Sequence, residues 1–245
     1  MSEASARAAQ LIARRIDDAT VSVYVYDTID STSDECRRRL AAGERRCVVL
    51  SRTQTGGRGR SGKSFFSPNG GLYMSVAFPA APDVTGLTCR AAVVAAQAIE
   101  EIAGVRCGIK WVNDLYLNGK KVCGILAETV EGGVIIGVGV NLAPMPLPAE
   151  LENIVGFLGC GEARDALAAE IAAALLRPTA QGDCMAAYRS RSIVPGRRIR
   201  CRIGQREFSA LAVDIADDGS LIVDGPNGRE TVFCGEIFPL QGECW

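Results

Sequence analysis

Length, composition and charge exclude several classes of protein. The chain has 245 residues, 48% of them hydrophobic, and a formal net charge of −1. A chain of this kind buries a sizeable core, so it is not disordered, and its charge does not indicate a broad nucleic-acid or membrane-surface patch. It contains no histidine, which excludes Ser–His and Cys–His nucleophile pairs and leaves Lys, Arg, Asp, Glu and backbone amides for chemistry.

The first hundred residues alternate helical and extended patterns. An amphipathic segment predicts a helix at 2–18. A second helix begins near Ser31 and Thr32, either of which can cap its first turn, and Glu35 lies within capping-box distance. The other elements predicted in this half are strands at 21–26, 47–53 and 71–78 and a buried helix at 87–102.

The second half contains more strands, one helix and then a change of pattern. The elements predicted here are strands at 105–110, 114–117, 122–130 and 134–140 and an Ala-rich helix at 163–176. From about Ile193 the chain reads as short strands separated by the turn sequences DDGS and PNGR. We therefore expect a main domain at residues 1–190 and a small β-barrel domain at 191–245.

The cysteines and the apolar runs indicate the compartment. The ten cysteines include no CxxC pair, and several lie inside apolar strand or helix patterns. They are predicted to be small buried hydrophobic residues in a reducing environment, and structural zinc is not expected. The first helix lacks the apolar segment of a signal peptide, and no apolar run reaches membrane-spanning length. A cytoplasmic protein without membrane contact is the expectation.

One stretch between two predicted strands, SRTQTGGRGRSGKSFFSP at 51–68, is rich in glycines and cations. The glycines are Gly56, Gly57, Gly59 and Gly62, and the cations are Arg58, Arg60 and Lys63. Glycines let the backbone turn its amides toward a ligand, and arginine offers a planar fork suited to phosphate. The stretch therefore predicts an anion-binding loop, with a solvated flexible surface loop as the alternative. A dinucleotide fingerprint or a P-loop is not expected here.

Two further polar clusters lie at strand ends. KWVNDL occupies 110–115 and KKVCGILAE occupies 120–128, and the pair Asn118-Gly119 predicts that a hairpin turn joins them. Asn141 ends the next strand in GVGVNL, which taken alone could be only a turn.

The motifs GRGRSGK, KWVND and KxxGILxE, in this order, resemble the biotin protein ligase family, most strongly over residues 24–142. The resemblance implies an α+β fold. In it a mixed, largely antiparallel sheet packed with helices forms a class II synthetase-like catalytic domain, and a small SH3-like β-barrel follows. It also implies an enzyme that uses ATP to convert biotin to biotinyl-5′-AMP, releases pyrophosphate, and transfers biotin to a lysine of a carboxylase carrier domain.

The resemblance assigns residues to both substrates. The implied biotin-binding residues are Ser31, Thr32, Gln54, Gly57, Arg58, Lys121 and Gly124. The implied residues for ATP and the adenylate are Arg58, Gly59, Arg60, Lys63, Phe65, Trp111, Asn113, Asp114, Lys121 and Asn141. Lys121 and Arg60 are predicted to be catalytic, because two anions must be brought within attack distance. Asp114 has two open roles, to orient Arg60 or Lys121, or to help hold a Mg²⁺ that bridges the phosphates.

Three residues differ from the family pattern, and they are expected to affect local stiffness and loop closure but not the activity itself. Val112 replaces the proline of KWPND, Lys63 replaces an arginine, and Phe65 replaces a tryptophan. The first alters local stiffness, whereas the other two keep a charge and an aromatic lid in place. We expect activity to be retained, with looser closure of the loop over biotin.

Partners and alternatives also follow from the resemblance. The expected partners are biotin, ATP with Mg²⁺, and a biotin carboxyl carrier domain, and a homodimer is one expected state. Only 30 residues precede Ser31, too few for the winged-helix domain that some members carry, so nucleic acid is not an expected partner. One alternative is a lipoate-type ligase, although its usual motif contains a histidine. The other is a catalytically silent protein that binds biotin or a nucleotide.

Overall fold

The computed structural model describes residues 2–79, 84–177 and 181–245. Within these ranges the chain forms five α-helices, three short 3₁₀ helices and twelve strands. The helices are α1 (Glu3–Ile16), α2 (Thr32–Ala41), α3 (Val84–Ala103), α4 (Arg164–Leu176) and α5 (Gln181–Arg191). The strands are β1 (Ser22–Ile29), β2 (Cys47–Gln54), β3 (Gly71–Phe78), β4 (Gly108–Lys110), β5 (Asp114–Leu117), β6 (Lys120–Val130), β7 (Gly133–Asn141), β8 (Arg198–Ile203), β9 (Arg206–Ile215), β10 (Leu221–Gly225), β11 (Gly228–Val232) and β12 (Glu236–Pro239).

Seven strands form the main sheet, in the order β1-β2-β3-β7-β6-β5-β4. β1 and β2 are parallel, and the other neighbouring pairs are antiparallel. The predicted mixed, largely antiparallel sheet is therefore confirmed.

Both faces of this sheet are packed, which explains why its strands are continuous apolar runs. On one face, Val48 and Leu50 join a core that α1, α3 and α4 cover. On the other, α2 packs Cys36 and Leu40 against alternate strand residues such as Val49. α2 covers only part of its face, and the remainder forms the floor of a cleft.

The start of α2 is fixed by Ser31, whose hydroxyl accepts a hydrogen bond from the amide of Asp34 at 3.4 Å. The predicted capping box with Glu35 is wrong. With Ser31 as the cap, Glu35 lies one position too far along, and its carboxylate accepts from the guanidinium groups of Arg38 and Arg39 at 2.7 Å each.

The second sheet has five antiparallel strands in the order β11-β10-β9-β8-β12. Along β8, buried Ile199 and Cys201 alternate with exposed arginines, as expected for a sheet with one packed face. These buried residues belong to the same apolar cluster as the main sheet. The arrangement agrees with the expected SH3-like barrel.

One predicted strand is shorter than expected. The prediction covered 105–110, but β4 contains only Gly108–Lys110. Its partner β5 is four residues long and turns back at Asn118 and Gly119, so in the observed register residues 105 and 106 have no β5 residue opposite them. The hairpin turn itself is confirmed, because Asn118 and Gly119 have the left-handed φ values, 51° and 77°, that a type I′ turn requires.

The packing of β2 predicts a stability difference. Leu50 is fully buried, so Leu50→Ala is expected to lower the free energy of unfolding by about 2–5 kcal/mol through lost contacts and a residual cavity. Leu11 on α1 is 44% exposed, and Leu11→Ala is expected to change that free energy by less than about 0.5 kcal/mol. Urea unfolding of both variants measures the difference, and equal losses would contradict the buried position of Leu50 in β2.

Candidate active site

A cleft of about 570 Å³ opens on the face of the main sheet that α2 leaves uncovered. Gly124 of β6 lies directly opposite Gly139 of β7, and Gly137 lies two residues earlier on β7. Because strand residues alternate between faces, all three glycines lie on the same face. Because glycine has no Cβ atom, no side chains project from the sheet at these three positions, and the space above them is available to a ligand.

The ring of Phe65 lies on this glycine floor. A Cβ added at Gly139 would come within 2.5 Å of its Cε1 atom, and one added at Gly124 within 2.9 Å of its Cε2 atom. Tyr73 packs edge-on against the ring, with the two centroids 6.3 Å apart. The position of Phe65 therefore requires glycine at both floor positions.

The glycine-rich loop between β2 and β3 forms a narrow hairpin over the cleft. The amide of Gly59 donates to the carbonyl of Lys63 at 2.7 Å, and the amide of Phe65 donates to the carbonyl of Gly57 at 2.9 Å. Gly62 at the tip has a φ of 74°, a conformation that favours glycine. The loop thus has a defined shape that presents its cations to the cleft.

Residues 57–64, GRGRSGKS, also fit the GxxxxGK[ST] spacing of a P-loop. The structural context is different, because β2 and β3 are antiparallel and no helix begins directly after the loop. A P-loop leads from a strand into the N-terminus of a helix. The P-loop interpretation is therefore excluded by the fold and not by the spacing.

A cluster of neutral polar groups forms one end of the cleft. The Oε1 atom of Gln54 accepts from the amide and the hydroxyl of Thr32 at 2.8 and 3.0 Å, and its Nε2 donates to Ser67 at 2.9 Å. The hydroxyl of Ser75 lies 2.8 Å from that of Thr32 and 3.0 Å from that of Ser33. The cluster offers both donors and acceptors without a net charge.

Arg58 joins the loop to two carboxylates. Its guanidinium donates to Asp34 at 2.8 Å and to Glu128 at 3.2 Å, and Arg37 contacts the same two carboxylates. Arg58 is partly exposed, and ion pairs of this kind are individually weak. An anionic ligand can therefore compete for its guanidinium.

Lys121 and Asp114 form an ion pair at the other end of the cleft. The Nζ of Lys121 lies 2.7 Å from Oδ1 of Asp114. That oxygen is buried and has no hydrogen-bond partner among the described residues, so the contact is close but not aligned as a hydrogen bond. Of the two cations expected for Asp114, the structure pairs it with Lys121, whereas Arg60 donates to Asn113 at 3.0 Å.

Residues of the second sheet complete the cleft. Arg60 donates to the carbonyl of Gly235 at 3.4 Å, and Lys63 forms an ion pair with Glu236. This hydrogen-bonded pair holds the pKa of the Glu236 carboxyl below its usual value. The indole of Trp111 donates at 2.9 Å to a carbonyl in the turn between β9 and β10. The barrel is thus held against both the loop and the KWVND segment.

The cleft brings together all but two of the predicted site residues. Those that line it are Ser31, Thr32, Gln54, Arg58, Gly59, Arg60, Lys63, Phe65, Trp111, Asn113, Asp114, Lys121 and Gly124. Gly57 is buried beneath the loop, where an added Cβ would come within 2.3 Å of the Phe65 carbonyl oxygen. Asn141 is also buried, and its Nδ2 donates to the carbonyl of Lys121 at 3.2 Å. These two residues shape the backbone around the cleft and do not line it.

The cleft also contains residues that the sequence analysis did not assign. Lys110, Tyr116, Glu236 and Trp245 are among them. Lys110 is the first residue of KWVND, so this motif could have indicated that it lies in the site. Tyr116 lies two positions after Asp114 on β5, and strand alternation places the two side chains on the same face. Glu236 and Trp245 lie in a part of the chain whose local pattern indicates only short strands and turns.

Neither a metal-ligand cluster nor a membrane-spanning helix occurs in residues 2–79, 84–177 and 181–245. No group of three or more Cys, Asp or Glu side chains there could hold a metal ion. In the same ranges no helix is long and apolar enough to cross a membrane. In these ranges none of the ten cysteines forms a disulfide and seven of them are buried, and burial raises the pKa of the Cys107 thiol to about 11. The prediction that the cysteines are small buried hydrophobic residues is confirmed for these seven, whereas Cys160 is only partly buried and the prediction is wrong for the exposed Cys234 and Cys244.

Comparison with known proteins gives the family. Residues 25–142 match the model of the biotin/lipoate A/B protein ligase family, and residues 195–238 match that of the biotin protein ligase C-terminal domain. A biotin–[acetyl-CoA-carboxylase] ligase of Paracoccus denitrificans is 32% identical, over 85% of this chain and 97% of that protein. The bifunctional ligase/repressor BirA of Escherichia coli is 31% identical, over 88% of this chain and 73% of BirA.

A solved structure shows the same fold. The biotin protein ligase of Aquifex aeolicus in complex with biotin and ATP superposes with a TM-score of 0.77 at 22% identity, covering 89% of this chain and 97% of that one. The chain belongs to the biotin/lipoate A/B protein ligase family.

Proposed function

We propose that this chain is a biotin protein ligase. It converts biotin and ATP to biotinyl-5′-AMP and pyrophosphate, and then transfers the biotinyl group to a lysine of a biotin carboxyl carrier domain. The observation that carries the proposal is the layout of one cleft, with the neutral cluster around Thr32 and Gln54 at one end and the cations Arg60 and Lys121 at the other. The relative from Paracoccus denitrificans is named for this activity.

The neutral end suits the head group of biotin. A ureido ring is uncharged and both donates and accepts hydrogen bonds, so hydroxyl and carboxamide groups match it better than charges do. Ser31, Thr32 and Gln54 supply those groups. The ring of Phe65 on the floor at Gly124 and Gly139 supplies an apolar surface for the rest of the molecule.

The first step joins two anions. An oxygen of the biotin carboxylate attacks the α-phosphorus of ATP, a new P–O bond forms, and the bond to pyrophosphate breaks. Repulsion between the carboxylate and the phosphate opposes this approach. Arg58, Arg60 and the loop amides offset the repulsion, and Lys121 stabilises the charge that grows on the α-phosphoryl oxygens.

The second step uses the same cation. The neutral amine of the acceptor lysine attacks the carbonyl carbon of the mixed anhydride, AMP leaves with the electrons of the C–O bond, and the amine gives up a proton. Negative charge grows first on the carbonyl oxygen and then on AMP. Lys121, held by Asp114, can stabilise both positions.

Mg²⁺ fits the nucleotide end of the cleft. The ion usually takes one or two protein carboxylates and completes its coordination with phosphates and water. Asp114 is the candidate ligand, as a carboxylate that lines this end of the cleft, and Mg²⁺ would share it with the ammonium of Lys121, which lies 2.7 Å from Oδ1. When bound, the ion would neutralise part of the phosphate charge.

The proposal also covers organisation and partners. We divide the chain into a catalytic domain at 1–190 and a barrel at 191–245, and the contact of Lys63 with Glu236 supports a role of the barrel in closing the nucleotide site.

The proposed location is the cytoplasm, and neither nucleic acid nor a membrane is a proposed partner. Pairing of two copies through their main sheets is a further proposal, which the sheet edge at β1 supports.

The glycine floor gives a prediction. Gly139→Ala is expected to weaken biotin binding by about tenfold or more, because the new Cβ would lie 2.5 Å from the Phe65 ring and overpacking of this kind costs about 1–3 kcal/mol. Gly56→Ala in the nearby loop is the control, since its Cβ would meet its nearest atom at an ordinary 3.4 Å. Calorimetric titration with biotin measures both, and equal affinities would contradict the floor assignment.

Pyrophosphate release tests the chemistry and its alternatives together. The purified chain with ATP and Mg²⁺ is given biotin, lipoate or no acid. Release of pyrophosphate in the biotin sample, and in neither of the other two, supports the proposal. Release with lipoate instead would identify a lipoate-type ligase, and biotin binding without release would identify a silent binding protein.

A further inference from the structure

The five cations that line the cleft differ in their partners. Four of them are already bound to protein groups, Arg58 to Asp34 and Glu128, Arg60 to Asn113, Lys63 to Glu236 and Lys121 to Asp114. The ammonium of Lys110 has no hydrogen bond or ion pair with the residues that the structure describes. Its ammonium instead faces the ring of Trp245, with Nζ 5.1 Å from the ring centroid.

Trp245 is itself held in place from two sides. Its ring packs edge-on against Tyr116, with the centroids 6.4 Å apart, and contacts the main apolar core. Its neighbour Cys244 accepts a hydrogen bond from Arg197 at 2.6 Å through its carbonyl. Trp245 thus connects the barrel to β5, and its ring is fixed beside the cleft.

Lys110 ends β4 directly opposite Asp114, so its backbone is set by the sheet. Burial lowers the pKa of its ammonium, and the charged groups that influence it are Asp114, Lys121, Glu236 and Arg60. A cation removed from water needs compensation. The face of Trp245 supplies part of it, and the three ammonium protons have no acceptor within the described residues.

We propose that Trp245 is a positioning residue for the nucleotide, because its ring holds the ammonium of Lys110 toward the cleft, where Lys110 binds the polyphosphate of ATP. The inference rests on the proposed ligase function and adds to it a residue outside all three sequence motifs. Free ammonium donors match phosphate oxygens as charge-assisted hydrogen bonds. Biotin is bound at the neutral end around Thr32 and Gln54 and does not depend on this contact.

The test separates ATP binding from biotin binding. The affinity for α,β-methylene-ATP with Mg²⁺ and biotin present, measured by calorimetry, is expected to fall on the order of tenfold in Trp245→Ala, from the loss of a desolvated cation–π contact. The affinity for biotin alone should stay within about twofold, and Trp245→Phe, which keeps a ring, should restore most of the nucleotide affinity. Phe208→Ala is the matched control, because it removes the ring beneath Arg206 at 4.2 Å on β9, outside the cleft.

A double substitution decides whether Trp245 acts through Lys110. Lys110→Met should also weaken nucleotide binding, and adding Trp245→Ala to it should cause less than about a twofold further loss. Additive losses, unchanged nucleotide affinity in Trp245→Ala, or equal losses for nucleotide and biotin would each overturn the inference. Binding is measured without turnover, so a parent protein that binds both ligands but releases no pyrophosphate would overturn the ligase function and leave this inference standing.

Discussion

Lys121→Ala is expected to slow formation of biotinyl-5′-AMP by about 10²- to 10³-fold, as loss of one preorganised charge-stabilising donor typically does. The same substitution should slow transfer from purified biotinyl-5′-AMP to the carrier domain, because negative charge also grows on oxygen in that step. The reason is structural, since the Lys121 ammonium is held in the cleft 2.7 Å from Asp114. Rapid-quench measurement of each half-reaction tests the prediction.

Lys120→Ala is a matched control for that prediction. The two lysines are adjacent on β6, but the ammonium of Lys120 donates to the carbonyl of Glu152 at 2.9 Å and does not line the cleft. Its truncation should leave both half-reactions within about twofold of the parent, as for an exposed site away from the chemistry. Adenylate formation by Lys121→Ala at the parent rate would show that the catalytic assignment is wrong.

Arg60→Gly is expected to release the intermediate. Arg60 connects the loop to Asn113 and to the carbonyl of Gly235, so it closes the nucleotide end of the cleft. Loss of a charge-assisted hydrogen bond worth about 1.5–3 kcal/mol should raise the escape of biotinyl-5′-AMP by roughly ten- to a hundredfold. The released anhydride would then acylate lysines on proteins that lack a carrier domain. Biotin incorporation into such a protein, with free adenylate followed in parallel, measures the leak.

Arg60→Ala separates the side chain from the added backbone freedom of glycine. It should leak as much as Arg60→Gly, because both lose the guanidinium. Arg60→Lys should leak less, since it keeps the charge but not the fork. A variant that forms no adenylate and labels nothing would place Arg60 in the chemistry of the first step and not in retention.

Local patterns predicted most of the main sheet, because its strands are long apolar runs and its hairpin carries Asn118-Gly119. The first and last residues of a helix or strand were less predictable where they depend on a neighbouring strand or on which residue caps a helix. β4 is short because β5 is short, and the capping box failed because Ser31, not Thr32, caps α2. The local sequence predicts neither the length of β4 nor the choice of Ser31 as the cap.

The site shows the same division. Its cations and polar groups were predictable because GRGRSGK, KWVND and KxxGILxE occur in order. The cross-strand pairing of Gly124 with Gly139 was not predictable, because strand register is set by tertiary packing. Glu236 and Trp245 reach the cleft only because the barrel docks against the loop and β5, and no local pattern reports such a contact.

Intact mass of a carrier domain tests the central claim most directly. A purified biotin carboxyl carrier domain is incubated with this chain, biotin, ATP and Mg²⁺, and a second carrier domain has its acceptor lysine replaced by arginine. The first carrier is expected to gain the mass of one biotinyl group only when biotin and ATP are both present, and the second is expected to gain none. A carrier domain that stays unmodified under these conditions would contradict the proposal that this chain is a biotin protein ligase.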